Sequence, residues 1–255
     1  MPATFVGPLT GTMKPDDPRP PEPPPLADSV SHTPQEPAPA KFTGASARDT
    51  ASGFVNGGSA HYAMWGRQLG QNVRTITSVM NDLKSKNQLP DTLLVEFGFN
   101  DIGWLFVGVE LVDTMEDFIA NARAANPNVR IVLANVPHRT TDYNAALAKA
   151  IPEWDTDASP VALADVDGAY GCGPNATTYD GLHPNALGEY RIARALGTTL
   201  HDEFGIGSAA PSVPDTLPTR QIATPTSLQF DGTQQGVTVT WPKVFGAPSY
   251  ADPVA

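Results

Sequence analysis

The stretch Thr92-Leu93-Leu94-Val95-Glu96-Phe97-Gly98-Phe99-Asn100-Asp101 decides the fold class of this 255-residue chain. Its first seven residues are mostly apolar, which is typical of a parallel strand that is buried on both faces. Asn100 and Asp101 come just after the end of this strand, where functional side chains of parallel sheets collect. The stretch therefore predicts an inner strand that carries polar groups at its carboxyl end.

Apolar strands and amphipathic helices alternate along the chain around this stretch. Such alternation predicts a parallel sheet covered by helices on both faces, which is an α/β fold. The carboxyl ends of parallel strands share one edge, where we expect the functional groups. The expected strands are 4–9, 92–98, 129–136 and 161–166, and the expected helices begin near Ala60 and continue with 111–122, 142–151 and 185–204.

Three segments differ in composition from the α/β part. Residues 14–40 are rich in proline and predict an extended surface loop. Residues 206–225 predict a linker, because Pro, Ser, Ala and Thr dominate there. Beyond it, Ser227–Phe230 and Val237–Trp241 alternate as antiparallel strands do. We expect an α/β domain over 1–205, a linker over 206–225 and an incomplete β segment over 226–255.

Charge and hydropathy exclude several classes of partner. The net charge is −11, from 27 acidic and 16 basic residues, and Lys and Arg form no cluster. Nucleic acids and anionic membranes select basic patches, so neither is expected as a main partner. No apolar run has membrane-spanning length, and the first residues lack the charged start and apolar core of a signal peptide.

Cys172 is the single cysteine of the chain, so an intrachain disulfide is impossible. A free buried thiol is the favoured interpretation. A catalytic thiol, or a pairing partner in a segment outside this chain, are the alternatives. Asp165 and Asp167 are too few to predict a metal site, and we expect neither a metal nor a cofactor.

The stretch Tyr179-Asp180-Gly181-Leu182-His183-Pro184-Asn185 holds a candidate general base. Asp180 lies three residues before His183, close enough for its carboxylate to fix the imidazole tautomer and stabilise the imidazolium. Pro184 suits the first turn of the following helix, where its missing N–H costs nothing. A polar loop that caps a helix is the alternative interpretation.

Two further stretches carry candidate hydrogen-bond donors. The Asn100 side chain could donate to an oxyanion, although an Asn-Asp turn after a strand is also common. Upstream, Asn56-Gly57-Gly58-Ser59-Ala60 precedes an expected helix start, where backbone N–H groups can point at an anion. The alternative is a flexible turn in which Ser59 caps the helix.

In their order and spacing these pieces resemble the SGNH hydrolases, also called GDSL-type lipases and esterases. Gly98-Phe99-Asn100-Asp101 is similar to the family's Gly-x-Asn-Asp block, and Asp180-Gly181-Leu182-His183 to its Asp-x-x-His block, with Gly188 downstream. The resemblance implies a flavodoxin-like three-layer sandwich with strand order 2-1-3-4-5. It also implies ester hydrolysis through a serine acyl-enzyme without a metal. His183 would be the base, Asp180 its orienter, and Asn100 with the Gly58 N–H the oxyanion hole, although a shift of two positions would place Ala60 there.

The family's Gly-Asp-Ser block does not occur in this sequence. The family places it after the first strand, ahead of the strand that residues 4–9 resemble. Ala27-Asp28-Ser29 is the nearest imitation, but it follows prolines instead of a buried strand, which argues against Ser29 as the nucleophile. We therefore expect a fragment of a longer protein, inactive as it stands. The alternatives are a non-catalytic binding or adhesion protein of the same fold, and a different serine of this chain.

The segment 226–255 resembles the first strands of a fibronectin type III domain, with Trp241 as its core tryptophan. Such modules are often appended to secreted enzymes that act on glycans. This resemblance implies a secreted parent protein that cleaves a small ester or an acylated glycan.

Overall fold

The computed structural model describes residues 4–10, 60–63, 67–105, 107–137, 141–171, 177–178, 184–216, 227–233 and 236–241. In chain order the strands are β1 (Leu9–Thr10), β2 (Ala60–His61), β3 (Thr92–Val95), β4 (Arg130–Ala134), β5 (Val161–Ala164), β6 (Gln229–Thr233) and β7 (Gly236–Thr240). The helices are α1 (Leu69–Ser85), α2 (Phe99–Leu105), α3 (Leu111–Ala125), α4 (Thr141–Trp154), α5 (Val166–Tyr170) and α6 (Ala186–Phe204).

A parallel sheet of order β3-β4-β5 forms the centre of the α/β part. Leu93 pairs with Ile131, and Ile131 pairs in turn with Val161, so the three strands are nearly level. Their carboxyl ends therefore share one edge, as expected from the sequence. The predicted α/β class and the three apolar strands are confirmed.

Side-chain alternation along the strands supplies both faces of this sheet. On one face, Ile131 and Leu133 are fully buried with residues of α1, α3 and α4, including Met80, Met115 and Leu147. On the other face, Val132, Ala134 and Ala164 pack with α6 through Ile192, Leu196 and Leu200. Full burial of one such aliphatic side chain contributes about 1.5–3 kcal/mol, so the two layers hold the sheet edge in place.

The amino-terminal strand and the first helix differ from the predictions. Of the expected strand 4–9 only Leu9 is in a strand, because β1 covers Leu9–Thr10 and pairs antiparallel with Ala60–His61. Pro8 has no N–H to donate, so the ladder does not extend back through it. Because Ala60 and His61 belong to this pair, the helix expected near Ala60 begins instead at Leu69, with Gln68 as its N-cap residue. The alternative interpretation, in which Ser59 caps this helix, is therefore wrong.

The short helices α2 and α5 were not predicted from the sequence. Helix α2 begins directly after Gly98, and α5 begins after Asp165, whose carboxylate accepts a hydrogen bond from Gly168 N at 3.0 Å. Each is too short to show an apolar period, so local turn chemistry was the only available signal. Both helices start at the carboxyl edge of the sheet and therefore shape the candidate site.

Strands β6 and β7 form the predicted antiparallel hairpin, with Phe230 opposite Val239 and Gly232 opposite Val237. Leu228, Phe230, Val237, Val239 and Trp241 share one face by alternation, and each is at least 38% exposed. The hairpin is therefore amphipathic, with an apolar face open to solvent. Within the described residues, none of the helices is both long and apolar enough to traverse a bilayer.

Candidate active site

Asn100 lies in the first turn of α2, at the carboxyl end of β3. Its Nδ2 donates to the backbone carbonyl of Arg67 at 3.0 Å. A side-chain amide carries two N–H groups, so this bond fixes the plane of the amide and leaves it a second donor. The residue predicted to bind an oxyanion is thus held on the segment that enters α1.

Asp101 anchors the same turn to the amino terminus of α1. It is 2% exposed, and its two carboxylate oxygens accept from Leu69 N at 2.9 and 3.1 Å. Burial raises the pKa of Asp101 to about 6, although backbone N–H groups at Leu69, Gly98 and Gly70 favour the charged form. The carboxylate also complements the positive end of the helix dipole.

Tyr143 of α4 lies beneath this turn and is fully buried. Burial raises the pKa of its phenol well above the usual range, and the nearby Asp101 carboxylate acts in the same direction. Its ring also restricts Gly98, whose φ is +109°. A Cβ at Gly98 would lie 2.8 Å from Val136 Cγ2 and 3.3 Å from Tyr143 Cε1, so the turn before Asn100 requires glycine.

A cavity of about 430 Å³ opens at the carboxyl edge of the sheet. Its apolar wall comes from the ends of β3 and β4 and from α6, and polar groups interrupt this wall at four places. Phe99, next to Asn100, and Pro184, next to His183, both line it. The apolar lining is Phe97, Phe99, Val136, Pro137, Pro184, Ile192, Ala193 and Leu196, and the polar lining is Glu96, Asn135, Tyr170 and Glu189.

The two ends of the segment that holds Asp180 and His183 are joined to each other. Thr178 and Pro184 form an antiparallel β-bridge. The buried Thr177 accepts a hydrogen bond at its carbonyl from Asn185 N at 2.8 Å, and Asn185 Nδ2 donates to the carbonyl of Thr178 at 3.2 Å. The residues that flank the segment 179–183 therefore lie side by side, next to the cavity that Pro184 lines.

Asn185 and Gly188, which follow the Asp-x-x-His stretch, both have structural roles at the start of α6. Asn185 is the N-cap residue of α6, and its Oδ1 accepts from Gly188 N at 3.1 Å. A Cβ at Gly188 would collide with the carbonyl oxygen of Thr177, so a larger residue there would displace the bridge. The glycine noted in the sequence is thus required by close packing.

Asp165 and Asp167 belong to a hydrogen-bonded network between the ends of β4 and β5. Asn135 Nδ2 donates to Asp165 Oδ1 at 2.8 Å, and Asn135 Oδ1 accepts from Asp167 N at 2.7 Å. Asn144 Nδ2 adds a contact of 3.3 Å to Asp167 Oδ2. Among the described residues, no group of three or more His, Cys, Asp or Glu side chains could hold a metal ion.

The sequence analysis singled out Asn100 but gave no indication of Arg67 or Asn135, which also contribute contacts here. Arg67 and Asn135 act through contacts with residues more than 25 positions away, for which no local pattern exists. The predicted residues Ser29, Gly58, Cys172, Asp180 and His183 lie outside the described residues. Ala60, the alternative to Gly58, lies in β2.

Comparison with known proteins adds a family to this geometry. The model of the GDSL-like Lipase/Acylhydrolase family matches residues 28–211, which is well over half of the chain. The match includes Asn100, Asp180 and His183, and it begins at Asp28, beside Ser29. No curated protein sequence matches the chain.

Three solved structures resemble this chain. A carbohydrate esterase family 3 protein from Talaromyces cellulolyticus is 26% identical, with a TM-score of 0.50 over 62% of this chain and 76% of that one. An acetyl esterase mutant with an acetate ion is 26% identical, with a TM-score of 0.49 over 59% and 72%. A family 3 carbohydrate esterase from Clostridium thermocellum is 18% identical, with a TM-score of 0.46 over 64% and 72%.

Proposed function

The chain belongs to the GDSL-like lipase/acylhydrolase family, and on that premise we propose that it carries the base and the oxyanion hole of a serine esterase. The substrate is a small ester or an acylated glycan. His183 is the general base, Asp180 orients it, and Asn100 and the Gly58 N–H form the oxyanion hole. The reaction uses protein groups alone, and the parent protein is secreted.

One observation supports this assignment more than any other. Phe99 and Pro184 line the same cavity at the carboxyl edge of the sheet, and they are the chain neighbours of Asn100 and His183. Groups that act on one carbonyl must lie within a few ångströms of it. The similarity to the carbohydrate esterase from Talaromyces cellulolyticus supports an acylated glycan as the substrate.

The proposed reaction has two acyl-transfer steps. A serine hydroxyl attacks the ester carbonyl while His183 Nε2 takes its proton, and the second N–H of Asn100 stabilises the oxyanion. A well-placed donor of this kind contributes roughly 3–4 kcal/mol to transition-state stabilisation. His183 then gives the proton to the leaving alcohol, and water repeats the sequence on the acyl-enzyme. The apolar cavity wall accommodates the acyl group.

The nucleophile has two possible sources. We favour a Gly-Asp-Ser segment outside this chain, because a rigid strand end must hold the serine at the sheet edge. Ser29 is the competing source, and it gains support from the family match, which begins at Asp28.

A fluorophosphonate probe, mapped by mass spectrometry on the complete chain, distinguishes the two sources. With an external nucleophile we expect no labelled serine, and p-nitrophenyl acetate hydrolysis no faster than that of His183→Ala. Label on Ser29, with turnover that both Ser29→Ala and His183→Ala abolish, would assign the nucleophile to this chain.

The histidine itself is tested without turnover. Long-range ¹H–¹⁵N NMR at pH above 8 reports the tautomer of each neutral imidazole among the five histidines, and His183→Ala assigns the signal. We expect the Nδ1–H tautomer at His183, and a shift towards Nε2–H in Asp180→Ala. The exposed His201, next to Asp202 at 2.7 Å, is the control and should keep its signal. A His183 tautomer indifferent to Asp180→Ala would reject the base–orienter pair.

The β hairpin gives the second part of the proposal. Its single apolar face suits a β-sandwich module, and we propose a fibronectin type III-like domain appended to the esterase. The alternation of Phe230 and Val239 with polar residues supports it.

A further inference from the structure

We infer that Arg67 is a positioning residue, which holds its own backbone carbonyl, and through it the Asn100 amide, in the orientation that an oxyanion donor needs. The inference rests on the proposed role of Asn100. Arg67 is 5% exposed and lies two residues before α1, in the segment between β2 and that helix. Its guanidinium is therefore inside the protein and does not serve as a surface charge.

The side chain of Arg67 joins two elements. Its Nε donates to Asn72 Oδ1 in the first turn of α1, and its Nη2 donates to the Tyr62 hydroxyl at 3.0 Å. The guanidinium carbon also lies 5.3 Å from the centre of the Tyr62 ring. Tyr62 Oη is in turn 2.6 Å from Thr75 Oγ1, one turn further along α1. The guanidinium thus connects Tyr62, which follows β2, to the first turn of α1 through hydrogen bonds.

Two side chains of α2 bind the backbone of the same segment. Asn100 Nδ2 donates to the carbonyl of Arg67, and the Asp101 carboxylate accepts from the N–H of Leu69. Two adjacent side chains therefore bind a carbonyl and an N–H that are two residues apart. We call these two hydrogen bonds, Asn100 to the Arg67 carbonyl and Leu69 N–H to Asp101, the clamp. The clamp sets the plane of the Asn100 amide only if the carbonyl of residue 67 stays fixed. The Arg67 side chain supplies that constraint.

Burial of a guanidinium is energetically unfavourable, because each buried ion loses several kilocalories per mole of hydration free energy. An apolar side chain of similar size would fill the volume without that cost. The arginine is therefore better explained by the direction of its hydrogen bonds than by packing. It is the only residue type that provides several donors in a planar, rigid fork.

The side-chain amide of Asn100 reports the effect directly. In the complete ¹⁵N-labelled chain, Asn100→Asp assigns its NH₂ signals, and hydrogen exchange of those signals is followed in Arg67→Met and Arg67→Lys. We expect exchange at Asn100 to accelerate about tenfold or more in Arg67→Met, as a local opening would produce. Arg67→Lys should rescue part of the protection, because it keeps a charged donor but lacks the rigid planar fork that bonds Asn72 and Tyr62 together.

Asn121 and Asn126 provide matched controls. Asn121 Nδ2 donates to the carbonyl of Val73 at 3.0 Å, and Asn126 Nδ2 to that of Pro90 at 2.9 Å. Both bonds have the same chemistry as the Asn100 bond but lie outside the clamp. Their exchange should stay unchanged in Arg67→Met. Equal acceleration at all three amides, or none at Asn100, would overturn the inference.

Tyr62→Phe tests the same link if Arg67→Met fails to fold. It keeps the ring under the guanidinium and removes the hydroxyl that joins Arg67 to Thr75. We expect Asn100 exchange to accelerate severalfold with Asn121 unchanged, whereas unchanged Asn100 exchange would contradict the inference. Because the readout needs no turnover, a failure here is separate from a failure of the proposed esterase activity, which the tautomer and labelling experiments test.

Discussion

At the scale of single residues, Asp101 shows two opposing effects on one carboxyl group. Burial disfavours its charged form, whereas N–H donors at the start of α1 favour that form. Burial is the stronger effect, so the pKa rises to about 6 from an ordinary value of 3.8. At neutral pH the carboxylate is nevertheless charged and holds Leu69, and through it the clamp around Asn100.

This shift predicts a specific pH dependence of stability. Between about pH 4 and 6 the folded state holds a proton on Asp101 that the unfolded state releases, so this group makes the free energy of unfolding fall as pH rises. Asp101→Asn removes the titration. We expect the stability difference, wild type minus variant, to decrease by about 2–3 kcal/mol from pH 4 to pH 7. Urea unfolding at four or five pH values measures it. A constant difference would show that Asp101 does not titrate in this range.

At the scale of secondary structure, the elements that carry an apolar run or a sustained amphipathic repeat could be predicted from the sequence. The elements that depend on contacts with distant parts of the chain could not. The apolar runs of β3, β4 and β5 and the amphipathic repeats of α1, α3, α4 and α6 are local signals, and the structure confirms these elements. In contrast, β2 exists only because β1 pairs with it, which overrides the helical pattern expected from Ala60. The site follows the same rule: Asn100 stands in a recognisable motif, whereas its partner Arg67 lies 33 positions away.

Strand β3 combines an inner-strand sequence with an open face. Among the described strands it pairs with β4 alone, and Leu94 in its middle is 45% exposed, whereas Leu133 of β4 is fully buried. Parallel strands are normally buried on both faces. Within the described residues β3 therefore also has an unpaired edge, which is where the proposed first strand, with its serine, would add to the sheet.

Two leucine truncations in one sheet test whether this face is uncovered in the chain as it stands. We expect Leu133→Ala to lower the free energy of unfolding by about 2–5 kcal/mol, because it leaves a cavity in the core. Leu94→Ala should lower it by less than about 1 kcal/mol, since most surface truncations have small effects. Urea unfolding of both variants gives the comparison. A cost at Leu94 close to that at Leu133 would mean that another segment or molecule covers β3.

At the scale of the whole molecule, the α/β part extends beyond its last helix. Gly205, with φ +62°, ends α6, and Ile206 N donates to the carbonyl of Leu200 at 2.9 Å. Pro211 then packs on α6 so closely that a Cβ at Gly197 would lie 2.5 Å from Pro211 Cγ. The family match also ends at residue 211. Residues 206–211 of the expected linker therefore pack against α6, and we propose a domain boundary after them.

Two truncations locate this boundary. Removing residues 217–255 deletes the hairpin and should leave the free energy of unfolding within about 0.5 kcal/mol of the full chain, since a lone hairpin adds little stability. This deletion should also reduce binding of a hydrophobic dye, because it removes Phe230 and Val237, which are more than 60% exposed.

The longer deletion, of residues 206–255, also removes Ile206 and Pro211. It should lower the free energy of unfolding by about 1–2 kcal/mol more, because the cap of α6 and the proline that packs on that helix are lost. If the shorter deletion alone costs several kilocalories per mole, the hairpin packs on the α/β domain and the two do not fold independently.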